Sequence, residues 1–546
     1  MKNPVKLVIV GGVAGGATAA TRARRLDEHA EIILLERGNH ISFANCGLPY
    51  HISGDIPKRD QLLLRTAKDF WDRYRIEVRT GCEVTKINSS KKKIHLKENN
   101  SESEISYDKL ILSQGAQPML PGSPHIDRIP HSTLRTIEDM DFIMSQLKSG
   151  DVKSVAVIGA GFIGLEMAEA FRQRGLMVTV LEMFPQVMPV VDADMAFMAQ
   201  LEFERQGVQI LTSVKVVGFT DEKSIQLEDG RKIPADFVLF SAGVRAEIAL
   251  AKEAGLSISE NGAIIVDEYL RTSDKDIFAV GDMIETQHRI TGKKTRVPLA
   301  GPANRQGRLA AENAVSSSTK KYAGALGTAI VKIFEKSLGS TGLSDKQLRA
   351  LGYNFSESVV HLNNHAGYFP GAERLSLKLF FERPSGKILG AQAFGSNGVD
   401  KRIDVLATAI TANMTVFDLE TLDLAYAPPF SSANDPVNFA AFQAVNMLEG
   451  KFKSVTTKEL QTMKDYTMLD LRSNAEIQKY PVRSDFQIPI NDLREQMQKL
   501  PRDKKIICLC QSGLRSYLAC RILEQNGYNN VYNLTGGYWS FSTTLL

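Results

Sequence analysis

The sequence predicts an α/β protein of several domains, and three observations predict it. A succession of strand, glycine turn, helix, strand and terminal acid occurs twice, roughly 150 residues apart. At 546 residues the chain is too long for one hydrophobic core, which points to about three or four domains. Its 43% hydrophobic and 23% charged residues are those of an ordinary globular protein. The net charge of +4 is small for this length, so neither a nucleic acid nor a membrane is an expected partner.

The first succession starts with the apolar residues 7–10 and turns at Gly11 and Gly12. It then passes Gly16 into an Ala- and Arg-rich helix and closes with residues 31–36, ending on Glu36. An apolar run of about four residues before a glycine pair suits a buried strand and not a secretory signal. No stretch approaches the ~18 apolar residues of a membrane helix. The second succession runs from residue 154 through Gly159, Gly161 and Gly164, a helix to Arg174 and a strand ending on Glu182.

In such Rossmann-like units the helix N-terminus takes a pyrophosphate and the terminal carboxylate takes a ribose. The first unit carries Val13 where the middle glycine normally allows close approach, whereas the second has all three glycines. Residues 183–188 carry no positive charge. A carboxylate at Glu182 accepts from a 2′-hydroxyl and repels a 2′-phosphate, so NADH is expected ahead of NADPH.

Three further segments complete the N-terminal region. Residues 107–118 and 235–243 each read as a buried strand leading to a glycine turn, at Gly115 and Gly243. Residues 272–282 follow, ending in Ile-Phe-Ala-Val-Gly281-Asp282. The order of these five segments resembles the two-dinucleotide flavin reductase superfamily, over residues 1 to about 320. That resemblance implies FAD in the first unit, with Gly11, Gly12, Gly16, Glu36, Gly115 and Asp282 around it, Asp282 at the ribityl chain. It implies a nicotinamide dinucleotide in the second, at Gly159, Gly161, Gly164 and Glu182, with Phe162 and Glu166 where the nicotinamide meets the flavin. The expected domains are 1–120 with 255–324 for FAD and 121–254 for NAD(P)H, that is, NADH with NADPH as a second donor.

Strand-like and helix-like runs mix from 325 to 446, which resembles the superfamily's α+β dimerisation domain and implies a homodimer with shared active sites. Residues 447–455 read as a short polar linker. Residues 456–546 resemble an α/β rhodanese domain, through Asp470-Leu-Arg472, the loop from Cys510 to Arg515 and the closing Gly536-Gly537-Tyr-Trp539. The usual Gly-His-Ile segment is replaced by KYPVRSD at 479–485. A loop that begins at a cysteine and ends where a helix starts stabilises an anionic sulfur, which suits a thiolate or persulfide at Cys510. Cys508 is expected on the opposite side of that strand, in the core.

The five cysteines (46, 82, 508, 510 and 520) form no disulfide framework, which fits a reducing cytoplasm. Cys46 sits alone in residues 42–50 (SFANCGLPY), and the next cysteine comes thirty-six residues later. A thiol beside a flavin with no internal partner finds its sulfur partner outside the chain or cycles through a sulfenic acid. Proximity to oxidised flavin and a helix N-terminus is expected to favour its thiolate.

Two single-cysteine branches compete. NADH oxidases and peroxidases carry a His in the first glycine loop, where this chain has Ala14. The segment around Cys46 and residues 426–438 (YAPPFSSANDPVN) resemble the coenzyme A disulfide and persulfide reductases. That resemblance makes Tyr368 and Tyr426 the tyrosines that reach the reactive sulfur across the dimer. It lines a CoA site with Thr18, Arg22, Arg25, Ser42, Asn45 and Arg308, with Asn434 where the family often has Lys. Cys46, Tyr368, Tyr426, Cys510 and Arg515 are thus the expected catalytic residues, and no metal is among the expected cofactors. The expected activity is NADH-driven reduction of CoA persulfide, polysulfide or CoA disulfide. The alternatives are an NADH oxidase or peroxidase and a sulfane-sulfur carrier.

Overall fold

The apolar residues after the N-terminus form the central strand, Lys6–Val10, of a five-stranded parallel sheet. It pairs with Glu31–Leu35 on one side and Lys109–Leu112 on the other, and Ile277–Ala279 and Glu77–Arg79 complete the edges. The chain therefore leaves the central strand in both directions, which opens a crevice at the strands' carboxyl ends. Gly11, Gly115 and Asp282 all follow strands of this sheet at that end. The structure, a computed structural model, describes residues 4–99, 101–122, 124–220, 223–316 and 319–544.

A second parallel sheet repeats the plan. Ser154–Ile158 lies at its centre, between Met177–Leu181 and Phe237–Phe240, with Gln209–Leu211 and His131–Ser132 at the edges. The connecting strands Ala116–Pro118 and Val244–Ala246 pair antiparallel. From Ala246 the chain re-enters the first sheet's core, where Leu250, Ala251 and Leu256 are buried.

These two sheets lie in one unit, up to Pro185 and Glu204–Gly327; Gln186–Phe203 and the chain from Thr328 form the second unit. In that second unit, five antiparallel strands from Ala329–Ile333 to Ile388–Gly395 carry helices Val399–Thr411 and Pro436–Leu448. Lys378, on strand Arg374–Glu382, is almost wholly buried among Asp194 at 2.7 Å, Asp192 at 3.3 Å and Glu357 at 3.7 Å. Burial opposes its charge, yet Asp194, Glu357 and Asp192 together hold its pKa well above the ordinary value. Burial lifts Glu357 to about 7 against the pull of Lys378.

A third parallel sheet, in the order 453–455, 531–534, 505–509, 466–470 and 486–487, builds the C-terminal domain. The stretch read as a polar linker differs here. Phe452 and Val455 are buried, and Lys453–Val455 pairs with Val531–Leu534 as an edge strand of this sheet. Phe452 and Val455 flank the polar pair Lys453-Ser454, so this short stretch buries its two ends while its middle stays nearer the surface. Among the described residues no helix is long and apolar enough to cross a membrane.

Candidate functional site

Close packing of backbone on backbone fixes the two glycine turns. A Cβ on Gly16 would lie 1.8 Å from the Gly11 carbonyl oxygen, and one on Gly164 would lie 2.0 Å from that of Gly159. Gly11 and Gly159 also hold φ near +98° and +105°, against the carbonyl oxygens of Ser113 and Ser241. Gly161 differs from these: its φ is −80° and a Cβ there would meet nothing within 4 Å. Neither backbone nor packing demands glycine at that position, and the open space fits the close approach of a pyrophosphate. At the equivalent place Val13 has φ −98°, outside the left-handed region that favours glycine.

The terminal carboxylates are held alike. Glu36 accepts from the Gly12 N–H at 2.8 Å and the Gly38 N–H at 2.7 Å. Glu182 accepts from the Ala160 N–H at 2.7 Å and the Phe184 N–H at 2.9 Å. Each oxygen keeps a further lone pair for a ribose hydroxyl. Both turns and both carboxylates therefore fit a dinucleotide.

Cys46 lies in the 3-10 turn Asn45–Gly47, which runs directly into helix Leu48–Ser53. The loop starts against the first glycine turn, where the Ser42 N–H donates to the Gly12 carbonyl at 2.8 Å. The thiol is open to solvent on one side, with its sulfur 3.8 Å from Asn45 Oδ1. Crowding by protein on its other side, followed by the charges of Glu166 and Asp282, pushes the thiol pKa up. Burial is the largest of these effects, ahead of both carboxylates, so the protein surroundings by themselves favour the thiol over the thiolate.

The sequence reading missed Tyr50, although it stands four residues after Cys46 in the same segment. Its hydroxyl donates to Glu166 Oε1 at 3.0 Å and ties the Cys46 loop to helix Phe162–Gln173 of the second sheet. Phe162 begins that helix, half-buried. Burial lifts the Glu166 carboxyl to about 7, and Glu169 adds to the rise, while the Tyr50 hydrogen bond favours the ionised form. The folded state thus holds this proton more tightly than the unfolded chain, and Glu166 costs stability as pH rises from about 4.5 towards 7. Tyr50→Phe is expected to move the Glu166 midpoint further up. Infrared difference spectra against Glu166→Gln, taken across pH 5–9 (about the range a midpoint near 7 requires), check this.

The six residues expected to line a CoA site fall in two groups. Helices Ala14–Leu26 and Ala300–Val315 pack so closely that a Cβ on Gly307 would lie 2.1 Å from the Gly15 carbonyl oxygen. Thr18, Arg22 and Arg25 lie on the first of these helices and Arg308 on the second, and Thr18 donates to Asn304 Oδ1 at 2.7 Å. Arg25 and Arg308 are exposed, whereas Arg22 pairs with Glu312 at 2.7 Å, which also takes Lys320. Ser42 and Asn45 stay on the Cys46 loop.

In the second unit the hydroxyls of Tyr368 and Tyr426 meet at 3.0 Å, and both rings are exposed. Buried Arg402 holds their loops, donating to Asp435 at 2.8 Å, to the Asn364 carbonyl at 2.9 Å and to Ser431 Oγ at 3.3 Å. Asn434 lies on the same segment, exposed.

Cys510 follows strand Lys505–Leu509 and is fully buried. Its sulfur takes the Gly513 N–H at 3.1 Å and lies 3.3 Å from Ser516 Oγ. The closing glycines seal the loop from behind: the Tyr538 N–H donates to the Cys510 carbonyl at 2.7 Å, and a Cβ on Gly537 would lie 2.5 Å from that oxygen. Arg515 forms a bidentate pair with Glu476, at 2.8 and 2.6 Å. The side of Cys508 needs correction. Cys508 is buried as expected, but burial and then the neighbouring Cys508 and Cys510 raise the Cys520 thiol on helix Leu514–Gln525, which puts both on that helix's side, as residues two apart on a strand are.

A family model for the pyridine nucleotide-disulphide oxidoreductases matches residues 5–307, and models for their dimerisation domain and for a rhodanese-like domain match 328–436 and 456–544. The chain belongs to the pyridine nucleotide-disulphide oxidoreductase family. A coenzyme A disulfide reductase of Staphylococcus aureus is 34% identical over 80% of this chain and 99% of its own. An NADH oxidase of Methanocaldococcus jannaschii is 34% identical over 82% of this chain and 100% of its own. Among solved structures, reduced Bacillus anthracis CoADR-RHD superposes with TM-score 0.96 at 41% identity, over 99% of this chain and 98% of that one. A NAD-dependent persulfide reductase from A. fulgidus gives TM-score 0.92 at 38% identity, over 98% and 100%. As a member of this oxidoreductase family, the chain is an enzyme of FAD and NAD(H), and the twin glycine turns are the places that fit them.

Proposed function

We propose that this chain is an NADH-driven reductase of CoA persulfide, polysulfide or CoA disulfide that works through Cys46 as a homodimer. The observation that carries this reading is one solvent-reached thiol on the loop that packs on the first glycine turn, with no second cysteine beside it. The relatives' names and the fused rhodanese domain support the substrate class. A cytoplasmic setting is part of the reading, since all five cysteines are free.

Bound flavin supplies the two electrons taken from NADH. The Cys46 thiolate attacks the CoA-bound sulfur of CoA–S–SH; that S–S bond breaks, HS⁻ leaves, and a Cys46–S–S–CoA disulfide forms. Two electrons return Cys46 and CoA as thiolates. With burial, Glu166 and Asp282 raising the thiol, the thiolate needs a compensating influence, which an oxidised, electron-poor flavin would supply when bound. Tyr368 and Tyr426, contributed by the partner subunit, donate to the departing sulfur. Their exposed, hydrogen-bonded hydroxyls suit that role. Thr18, Arg22, Arg25, Ser42, Asn45 and Arg308 hold CoA, with Arg25 and Arg308 as its phosphate contacts.

Anaerobic NADH consumption with CoA persulfide, CoA disulfide and hydrogen peroxide, alongside the intact mass with and without reductant, tests the reading. Fast turnover with the persulfide and a reductant-labile CoA adduct support it. Preference for peroxide with no adduct moves the chain to the oxidase branch. For the donor, Glu182→Gln keeps acceptance from the Ala160 N–H and removes the charge. It is expected to raise the ratio of NADPH to NADH kcat/KM by about tenfold, read in parallel steady-state assays.

A further inference from the structure

We propose that Glu476 makes the Cys510 loop selective for sulfane sulfur carried on a thiol, as in a persulfide or polysulfide, over sulfane sulfur attached to a sulfonate, as in thiosulfate. The proposal rests on reading Cys510 as a sulfur acceptor. Arg515 is the only charged side chain among residues 510–515, and it closes the loop whose Gly513 N–H donates to the Cys510 sulfur. Its guanidinium is nevertheless committed to Glu476 through two parallel hydrogen bonds, at 2.8 and 2.6 Å. Glu476 is itself fixed as the third residue of helix Asn474–Lys479, accepting from the Ser473 N–H at 2.9 Å and its hydroxyl at 3.0 Å. Arg515 pulls the Glu476 carboxyl down to about 2, so it is ionised at every working pH.

The cation beside the sulfur is thus cancelled by a carboxylate of fixed geometry. The neighbouring Arg472 is treated in the same way, bidentate to buried Asp470 at 2.7 Å, with its guanidinium over the Tyr538 ring. A sulfonate next to the sulfane sulfur brings a charge that an unpaired arginine would bind and a paired one does not. A thiol persulfide brings no sulfonate for Arg515 to bind, and the Gly513 N–H already donates to the Cys510 sulfur at 3.1 Å, where it stabilises an anionic sulfur. In the step, the Cys510 thiolate attacks the outer sulfur of R–S–SH. The bond to the inner sulfur breaks, RS⁻ leaves, and Cys510–S–SH forms with the proton kept on the transferred sulfur. No net oxidation occurs.

The test uses the full chain without NADH, so a failure of the Cys46 cycle leaves it intact. Rates of sulfur transfer to cyanide are measured from thiosulfate and from glutathione persulfide. The wild type is expected to favour the persulfide, and Cys510→Ser to lose the transfer. Glu476→Gln keeps an acceptor for Ser473 and frees the charge of Arg515. It is expected to lower the thiosulfate KM about tenfold and to change the persulfide KM less than about twofold. Adding Arg515→Met is expected to abolish that gain. A wild type that uses both donors equally, transfer that survives in Cys510→Ser, or an unchanged thiosulfate KM in folded Glu476→Gln would each overturn the proposal. The wild-type preference alone decides if the variant does not fold.

Discussion

Cys46→Ser is expected to lose NADH-driven persulfide and CoA-disulfide reduction by about three orders of magnitude or more, while flavin stays bound. A serine hydroxyl is too weakly acidic to attack sulfur at neutral pH, and no other cysteine among the described residues is exposed to replace it. Flavin retention follows from the architecture. The glycine turn, Glu36 and Asp282 come directly after strands of the sheet, whereas Cys46 sits further on, in a separate short turn. Absorbance at the flavin bands reports occupancy, and anaerobic NADH oxidation reports turnover. Near-normal turnover in this variant would falsify the single-thiol mechanism. Cys510→Ser separates the two sulfur sites: it is expected to keep reduction of preformed CoA persulfide and to lose sulfur transfer.

Lys378→Met is expected to carry the largest stability loss, about 3–5 kcal/mol, because it leaves buried carboxylates without their counter-charge. Asp192, Asp194 and Glu357 all come within 4 Å of the ammonium, and Asp345 adds to the local negative field at Glu357. The sign with pH is specific. A lysine whose pKa is raised on folding contributes fully below its unfolded value of 10.5, so the wild type gains a constant amount across neutral pH. In the variant the pull of Lys378 is gone, so Glu357 titrates above its wild-type value of about 7; the carboxylates take up protons as pH falls, and the deficit shrinks. The check is the difference in melting temperature between wild type and variant at pH 8 and at pH 6, about a unit either side of that value. A deficit that is small, or that grows in acid, would sink the account.

The parts of the site legible in the sequence were those set by short-range backbone geometry. Gly11 with Gly16 and Gly159 with Gly164 are spaced so that one carbonyl oxygen occupies the room of a side chain, and such spacing is visible in a string of letters. The acids Glu36 and Glu182 follow for the same reason, at the end of the next strand. The cysteine loop before Arg515 was legible because turn and helix start are contiguous. Pairings that depend on distant segments were not. Tyr50 meets Glu166 across 116 residues, Lys378 meets Asp192 across 186, and Arg22 meets Glu312 across 290. Nothing local distinguishes Arg22, bound to a carboxylate, from Arg25, one turn on and exposed. Polar composition likewise hid the strand at 453–455, because a three-residue edge strand carries one buried residue, Val455, too few to show a period.

That strand bears on how the protein can be dissected. A fragment begun at Thr456, where the rhodanese-like match starts, would be cut just after Val455. It would bare the N–H and C=O groups of Val531–Leu534 along one flank, together with the side chain surface that Val455 and Phe452 cover. An open, apolar flank of this kind invites strands from other molecules, so such a fragment would precipitate or self-associate. Begun at about Gly450, the same domain would carry its own selvage.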